Sequence, residues 1–208
     1  LRYNGAQHDI TRRYAESTHG KGLLKSGLLV TAMCTSCHTP HHELPRDNPA
    51  SSVYRENVPA TCGRCHHGIQ ERFERSIHSR HLSQSAKDLP VCSDCHTAHT
   101  IRRTDETGFK LEMMDTCGKC HADLAKAYFE SYHGKVTQLG YTKTAKCYDC
   151  HGAHEILPKA HPHSSLHTTA VVGTCNQCHA GATLGFTTYL THGSHNDPQK
   201  YPWLFVTY

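Results

Sequence analysis

Six segments of this chain read Cys-x-x-Cys-His, and between them they use every one of its 12 cysteines. They are Cys34/Cys37/His38, Cys62/Cys65/His66, Cys92/Cys95/His96, Cys117/Cys120/His121, Cys147/Cys150/His151 and Cys175/Cys178/His179. With no thiol left over there is no disulfide framework, so the chain must fold around a site that is repeated. The six alternate in kind. The first, third and fifth continue to a second histidine (His41, His99, His154), whereas the second, fourth and sixth begin Thr-Cys and lack it. A third marker, Ser-x-His or Thr-His, precedes each pair and recurs at the end as His19, His78, His133 and His192, spaced 59, 55 and 59 residues apart. The 208 residues therefore read as one body of three two-motif units, about 17–75, 76–130 and 131–190. His192 reads as the opening of a fourth unit, within a tail over 191–208.

The spacing points to covalent haem. Two thiols two residues apart reach the two vinyl groups on one porphyrin edge, and the adjoining imidazole reaches the iron. Structural zinc would need cysteine pairs grouped by four ligands and gives no reason for a histidine after every pair. A thioredoxin-like pair would occur once, between a strand and a helix. Six haem c groups with iron follow, held at the 12 cysteines, with His38, His66, His96, His121, His151 and His179 as proximal ligands.

The far ligands are histidines too. Three methionines cannot serve six irons, and 15 histidines remain after the proximal six. The recurring ones, His19, His41, His78, His99, His133, His154 and His192, are the candidates. His8, His42, His67, His81, His161, His163, His167 and His195 do not recur and read as surface or propionate-bonding groups, with His42 a rival to its neighbour His41. Residues 12 apart on a helix lie about 18 Å apart along it, so His78 and His133 must serve a haem other than the one held by His66 or His121. Histidines at i and i+3 share one side of a turn, so His41, His99 and His154 must also cross to a neighbouring haem. Seven candidates exceed six irons by one. Because no motif precedes His19, it is the expected spare, either solvated or with a role between subunits.

Secondary structure is expected as short helices in coil with little or no sheet. Helices are expected between His66 and His78, where Ile69, Phe73 and Ile77 share a face, between His121 and His133, and more weakly between His179 and His192, which Gly181 and Gly185 interrupt. About 35 residues per haem is too little chain for an ordinary core, so the haems must supply much of it.

Lys and Arg number 22 against 18 Asp and Glu. Six haems with two propionates each would turn that +4 into roughly −2 oxidised and −8 reduced, so the basic residues read as propionate partners and nucleic acid is not expected. The opening at Leu1 fits a mature form whose signal peptide has been removed. No internal run reaches the roughly 20 apolar residues of a membrane helix. The ending Tyr201-Pro-Trp-Leu-Phe-Val-Thr-Tyr208 reads either as the first turn of a span or as an aromatic tail docked on its own domain or on a neighbour.

The unit Ser-x-His-Gly, then Cys-x-x-Cys-His-x-x-His, then a segment like Asn48 to His66, resembles the multihaem cytochromes c with doubled binding motifs, a group that includes cytochrome c3-like and nitrite-reductase-partner proteins. The resemblance covers about Ser17 to His195. It implies bis-histidine haems in a row, a periplasmic or cell-surface location, respiratory electron transfer and redox partner proteins. Some relatives continue into a C-terminal membrane span and others polymerise into extracellular filaments, so membrane complexes and self-association are both expected partners. The middle unit departs in having 25 residues from Cys92 to Cys117 where the others have 28, and Ser79 in place of the glycine after the marker histidine. Three functions are weighed: electron transfer without catalysis, a filament subunit, and a reductase of a small nitrogen or sulfur oxyanion. The surplus of histidines and the lack of a Cys-x-x-Cys-Lys motif count against the reductase.

Overall fold

The computed structural model describes residues 9–188, 192–194 and 196–207. Among them the chain forms short helices and no strand: α1 (Ile10–Glu16), α2 (Thr18–Leu24), α3 (Cys34–His38), α4 (Val58–Gly63), α5 (His67–Glu74), α6 (Cys92–His96), α7 (Thr107–Gly118), α8 (Ala122–Glu130), α9 (Tyr132–Gln138), α10 (Cys147–His151), α11 (Val171–Asn176) and α12 (Pro202–Thr207).

The two kinds of motif fold differently. The odd-numbered motifs start a helix. In α3, α6 and α10 the first cysteine is the first helical residue, and a side chain three positions past the cap accepts the cap's N–H: Ser36 from Met33 (3.1 Å), Asp94 from Val91 (2.8 Å) and Asp149 from Lys146 (2.8 Å). Each helix stops at its histidine because the next residue, Thr39, Thr97 or Gly152, takes a positive φ (62°, 64° and 80°). The chain thus leaves the helix before the second histidine, which corrects the picture of two histidines on one turn. The even-numbered motifs end a helix. The proximal histidine N–H bonds back to the first cysteine's carbonyl in each: His66 to Cys62 (2.9 Å), His121 to Cys117 (3.0 Å) and His179 to Cys175 (2.9 Å).

The Ser-x-His-Gly marker has a packing reason. Ser17 and Ser131 cap α2 and α9, accepting from Gly20 N (3.0 Å) and Gly134 N (3.2 Å) while donating to Tyr14 O and Tyr128 O (both 2.6 Å). A Cβ on Gly20 or Gly134 would collide with those same tyrosine carbonyls, so the marker histidine sits where one helix ends against the start of the next. In the middle unit Ser76 and Ser79 form turns instead of a helix, which is why Ser79 is tolerated there.

Of the three expected helices, α5 and α8 form. Both end before the marker, at Glu74 and Glu130, so His78 and His133 lie beyond a break and not 12 residues along one helix. The third does not form: Gly181 adopts φ +80°, and only a 3-10 turn, Phe186–Thr188, follows among the described residues.

The protein packs little of its own side chain. Among the described residues the buried apolar set is Val91, Met114, Ala127, Tyr128 and Leu157. The accessible surface is 14554 Å², against roughly 9,700 Å² for an ordinary folded chain of 23.2 kDa. Polypeptide alone leaves about half again too much surface, as a fold built to be completed by large flat groups should.

Candidate haem sites

Every proximal histidine faces one other imidazole. His38 faces His99 with ring centres 6.1 Å apart (site 1), His66 faces His19 at 6.1 Å (site 2), and His96 faces His154 at 6.0 Å (site 3). His121 faces His78 at 6.1 Å (site 4), His151 faces His192 at 6.1 Å (site 5), and His179 faces His133 at 5.9 Å (site 6). An iron between two imidazoles requires about 6 Å, from two metal–nitrogen bonds of about 2 Å and about 1 Å from nitrogen to ring centre at each end. The twelve residues fit the group their motifs imply.

The electrostatics agree. Burial, followed by the facing imidazole, pushes His19, His78, His99 and His133 down from the ordinary histidine value, leaving neutral rings with a lone pair free. Burial likewise lowers His192, whose Nδ1 is buried without a hydrogen bond of good geometry although the Leu124 carbonyl stands near it.

The 12 cysteines are not equally sheltered. Cys34, Cys65, Cys120 and Cys178 are exposed, and the other eight are half-buried. Three of the exposed ones, Cys65, Cys120 and Cys178, are the second cysteines of the even-numbered motifs. Each stands two residues past the last residue of its helix (α4, α7 or α11), on a turn whose N–H bonds back to the first cysteine's carbonyl at 3.2, 3.3 and 3.2 Å. That turn carries the thiol out of the helix and away from the cover the helix gives to Cys62, Cys117 and Cys175. In the odd-numbered motifs the second cysteine, Cys37, Cys95 or Cys150, lies inside its helix and keeps its cover. Exposure leaves Cys65 and Cys120 beside the proximal histidines His66 and His121, where the attachment spacing needs them.

Backbone contacts explain the pairing of histidines. The residue after the first marker serine, Thr18, donates its N–H to Ile101 O (2.7 Å), and Ile77 donates to Ile156 O (2.8 Å). Ile101 and Ile156 each stand two residues past the second histidine of the next unit, so each joint carries His99 or His154 back to the preceding odd site. At the third joint Ser194, two residues past His192, hydrogen-bonds to Glu130 (2.9 Å), and Asn196 joins it (3.1 Å). His192 therefore does not open a fourth unit; it takes the place that unit's second histidine would hold.

Two further expectations are corrected here. His19, expected to be spare, faces His66. His41 does not cross to a neighbour: it is exposed at φ 64°, unlike His99 and His154, and no imidazole faces it or His42 among the described residues. The residue that reaches back needs a preceding odd site, and none stands opposite His41 among the described residues. The pairings of His99 and His154 with odd sites and the switched role of His192 were not visible in the spacing alone; the apolar residue two places after His99 and His154 was their signal. His8 and His195 lie outside the described residues, as do Leu190 and Thr191 of the last marker.

The sites follow one another in sequence order. Within units, Cys37 lies within electrostatic range of Cys62 and Cys65, Cys95 of Cys117 and Cys120, and Cys150 of Cys175 and Cys178. Between units, Cys62 stands near Cys92 and Cys117 near Cys147, so the sulfurs of successive motifs continue the row. Met114, fully buried, places its sulfur 3.5 Å from that of Cys147.

A family model described as the doubled CXXCH motif matches residues 28–71. Such motifs indicate covalently bound haem c, an iron cofactor, and the likeness is to c-type cytochromes, which carry electrons and are generally extracytoplasmic. No curated protein and no solved structure matches the chain. No helix among the described residues is long and apolar enough to cross a membrane.

Proposed function

We propose that this is an extracytoplasmic electron-transfer protein that holds six haems c in one row, each between two histidines, in a single body of three units. The observation that carries the reading is the set of six imidazole pairs at 5.9–6.1 Å. Bound haem supplies one-electron chemistry at its iron. The chain's part is to fix both axial ligands, to set the sulfurs of successive motifs side by side, and to leave no axial position for a substrate. The last point favours electron transfer over reduction of an oxyanion. Haem counting by mass and spectra of the oxidised protein test the reading, with six low-spin centres expected. A stoichiometric high-spin signal would return the reductase to the front.

His41 supports a second reading. It repeats the position from which His99 and His154 reach an odd site of the preceding unit, and no such site faces it among the described residues. A head-to-tail filament or a redox partner in a respiratory complex at the membrane or cell surface would supply one. In that case His41→Ala should keep six low-spin haems and shorten or abolish polymers seen by electron microscopy; polymers of unchanged length would remove His41 from the contact.

A further inference from the structure

Lys146 caps the fifth attachment helix, α10, at the position that Met33 holds before α3 and Val91 before α6. Where two units place an apolar side chain, the third places an ammonium group and buries it, leaving Lys146 3% exposed. Its Nζ donates to the carbonyls of Thr142 (2.6 Å) and Thr144 (2.7 Å). The charged groups within range of it are Asp149 and Lys110, and the sulfur of Cys178 lies nearby. Asp149 is not in salt-bridge contact with Nζ, because its carboxylate is turned to the backbone N–H of Lys146. A buried cation held by carbonyl dipoles keeps a field that surface charges lose to water and salt.

The three odd sites thus differ in charge while sharing one backbone. Site 1 has Met33 and Ser36 and no charge at the cap. Site 3 has Asp94 paired with Arg55 at 2.8 Å in a half-exposed position. Site 5 has the buried lysine, which also stands near Cys178 of site 6. Reduction adds one negative charge at an iron, so a nearby buried cation stabilises the reduced state. We infer that Lys146 is a potential-setting residue, whose buried ammonium group raises the reduction potentials of sites 5 and 6 and so biases electrons toward the third unit. The inference rests on the electron-transfer reading.

Potentiometric titration of the whole haem-loaded chain, followed by haem absorbance, tests it. In Lys146→Met one or two of the six midpoints should fall while the rest stay, and in Lys146→Arg all six should stay close to wild type. Losing a buried side chain can also disturb packing, so the double variant Lys146→Met, Asp149→Ser reproduces the Met33 and Ser36 pair with which α3 already folds; its midpoints should lie between those of wild type and Lys146→Met. Unchanged or higher midpoints in Lys146→Met, an equal fall at all six, or an arginine variant falling as far as the methionine one would overturn the inference. The wild type reports separately on the reading beneath it: fewer than six reversible low-spin steps there would defeat the electron-transfer assignment itself.

Discussion

The outer two units and the middle one hold the same pair of motifs at different loop lengths. In the first and third, a serine pair does the work. Ser52 and Ser165 donate to the carbonyls of Cys37 and Cys150, and their own carbonyls accept from Thr61 (2.6 Å) and Thr174 (2.7 Å), the threonines of the Thr-Cys motifs. Ser51 and Ser164 are buried beside them and donate to Leu44 O and Leu157 O. The middle unit is three residues shorter between motifs and has the twelve-residue α7 in place of this loop, with Arg102 bonded to Glu112 (2.7 Å) and Glu106 (3.3 Å). Sites 3 and 4 still adopt the imidazole spacing of the others. What the repeat preserves is the distance between haem ligands, and the polypeptide between them is free to change.

The largest effect should come from withholding haem. With five buried apolar side chains among the described residues, the units should not fold on their own polypeptide, and all three should be lost together when the chain is made without haem attachment. Circular dichroism and limited proteolysis would show it. A protease-resistant fragment spanning α7 and α8 would mean that the middle unit had replaced haem packing with helix packing.

Next come the ligands that cross between units. His99→Ala and His154→Ala each remove one imidazole from an odd site, and each should convert one of six centres to high spin while the other five stay low spin, read by EPR. The two variants should behave alike although His99 leaves the middle unit and His154 the third. In either variant, loss of two low-spin centres would show that the joint, and not the single ligand, had failed.

Packing at the markers should rank third. Gly20→Ala and Gly134→Ala push a methyl into a helix-terminal carbonyl, and each should cost on the order of 2 kcal/mol or more in denaturant unfolding. Ser79→Gly in the middle unit should gain nothing, because Ser79 is buried and its hydroxyl accepts from His81 N (3.1 Å). Smaller again is the serine bridge: Ser52→Ala or Ser165→Ala should cost about 1 kcal/mol. Glu112→Ala should cost less than that, being an exposed partner.

The attachment motifs, the repeat and the absence of sheet among the described residues were legible because covalent chemistry fixes their spacing and leaves them in register. Helix breaks were less so. Ser131 sits inside a run of good helix formers, and a capping serine facing the preceding helix's carbonyl is a tertiary event that local propensity does not contain. The uneven cover of Cys65 and Cys120 was hidden for the same reason, since identical motifs do not say whether a helix starts or ends at them. The exchange of roles between His41 and His192 was hidden for another. Counting motifs treats each marker as equivalent, whereas the reach of a histidine depends on whether a neighbouring unit exists for it to reach. Glu130, with Ser194 and Asn196 bound to it, makes a polar clasp where the other two joints use a backbone contact.

The smallest expected effect lies in the exposed ion pairs that tie the middle unit to its neighbours, Arg55 with Asp94 (2.8 Å) and Arg75 with Glu155 (3.0 Å). The hydrogen bond from Arg75, followed by its charge, holds the Glu155 carboxyl below the ordinary glutamate value. A carboxylate whose pKa is lower folded than unfolded stabilises the fold above its unfolded value and loses that contribution as pH falls through the folded one. Both partners are solvated, so the gain is small and screened by salt. Wild type and Glu155→Gln, both haem-loaded, should therefore differ slightly in melting temperature at neutral pH and low salt, with wild type higher. The difference should shrink as the pH drops below the ordinary glutamate range, and added salt at neutral pH should shrink it too. Because all other acid-sensitive groups are common to the two proteins, the difference isolates this one joint. A gap that widens on acidification would mean that Glu155 acts through something other than Arg75, and the joint between the middle and third units would then rest on the bonds of Ile77 and the Ser76 hydroxyl to Ile156.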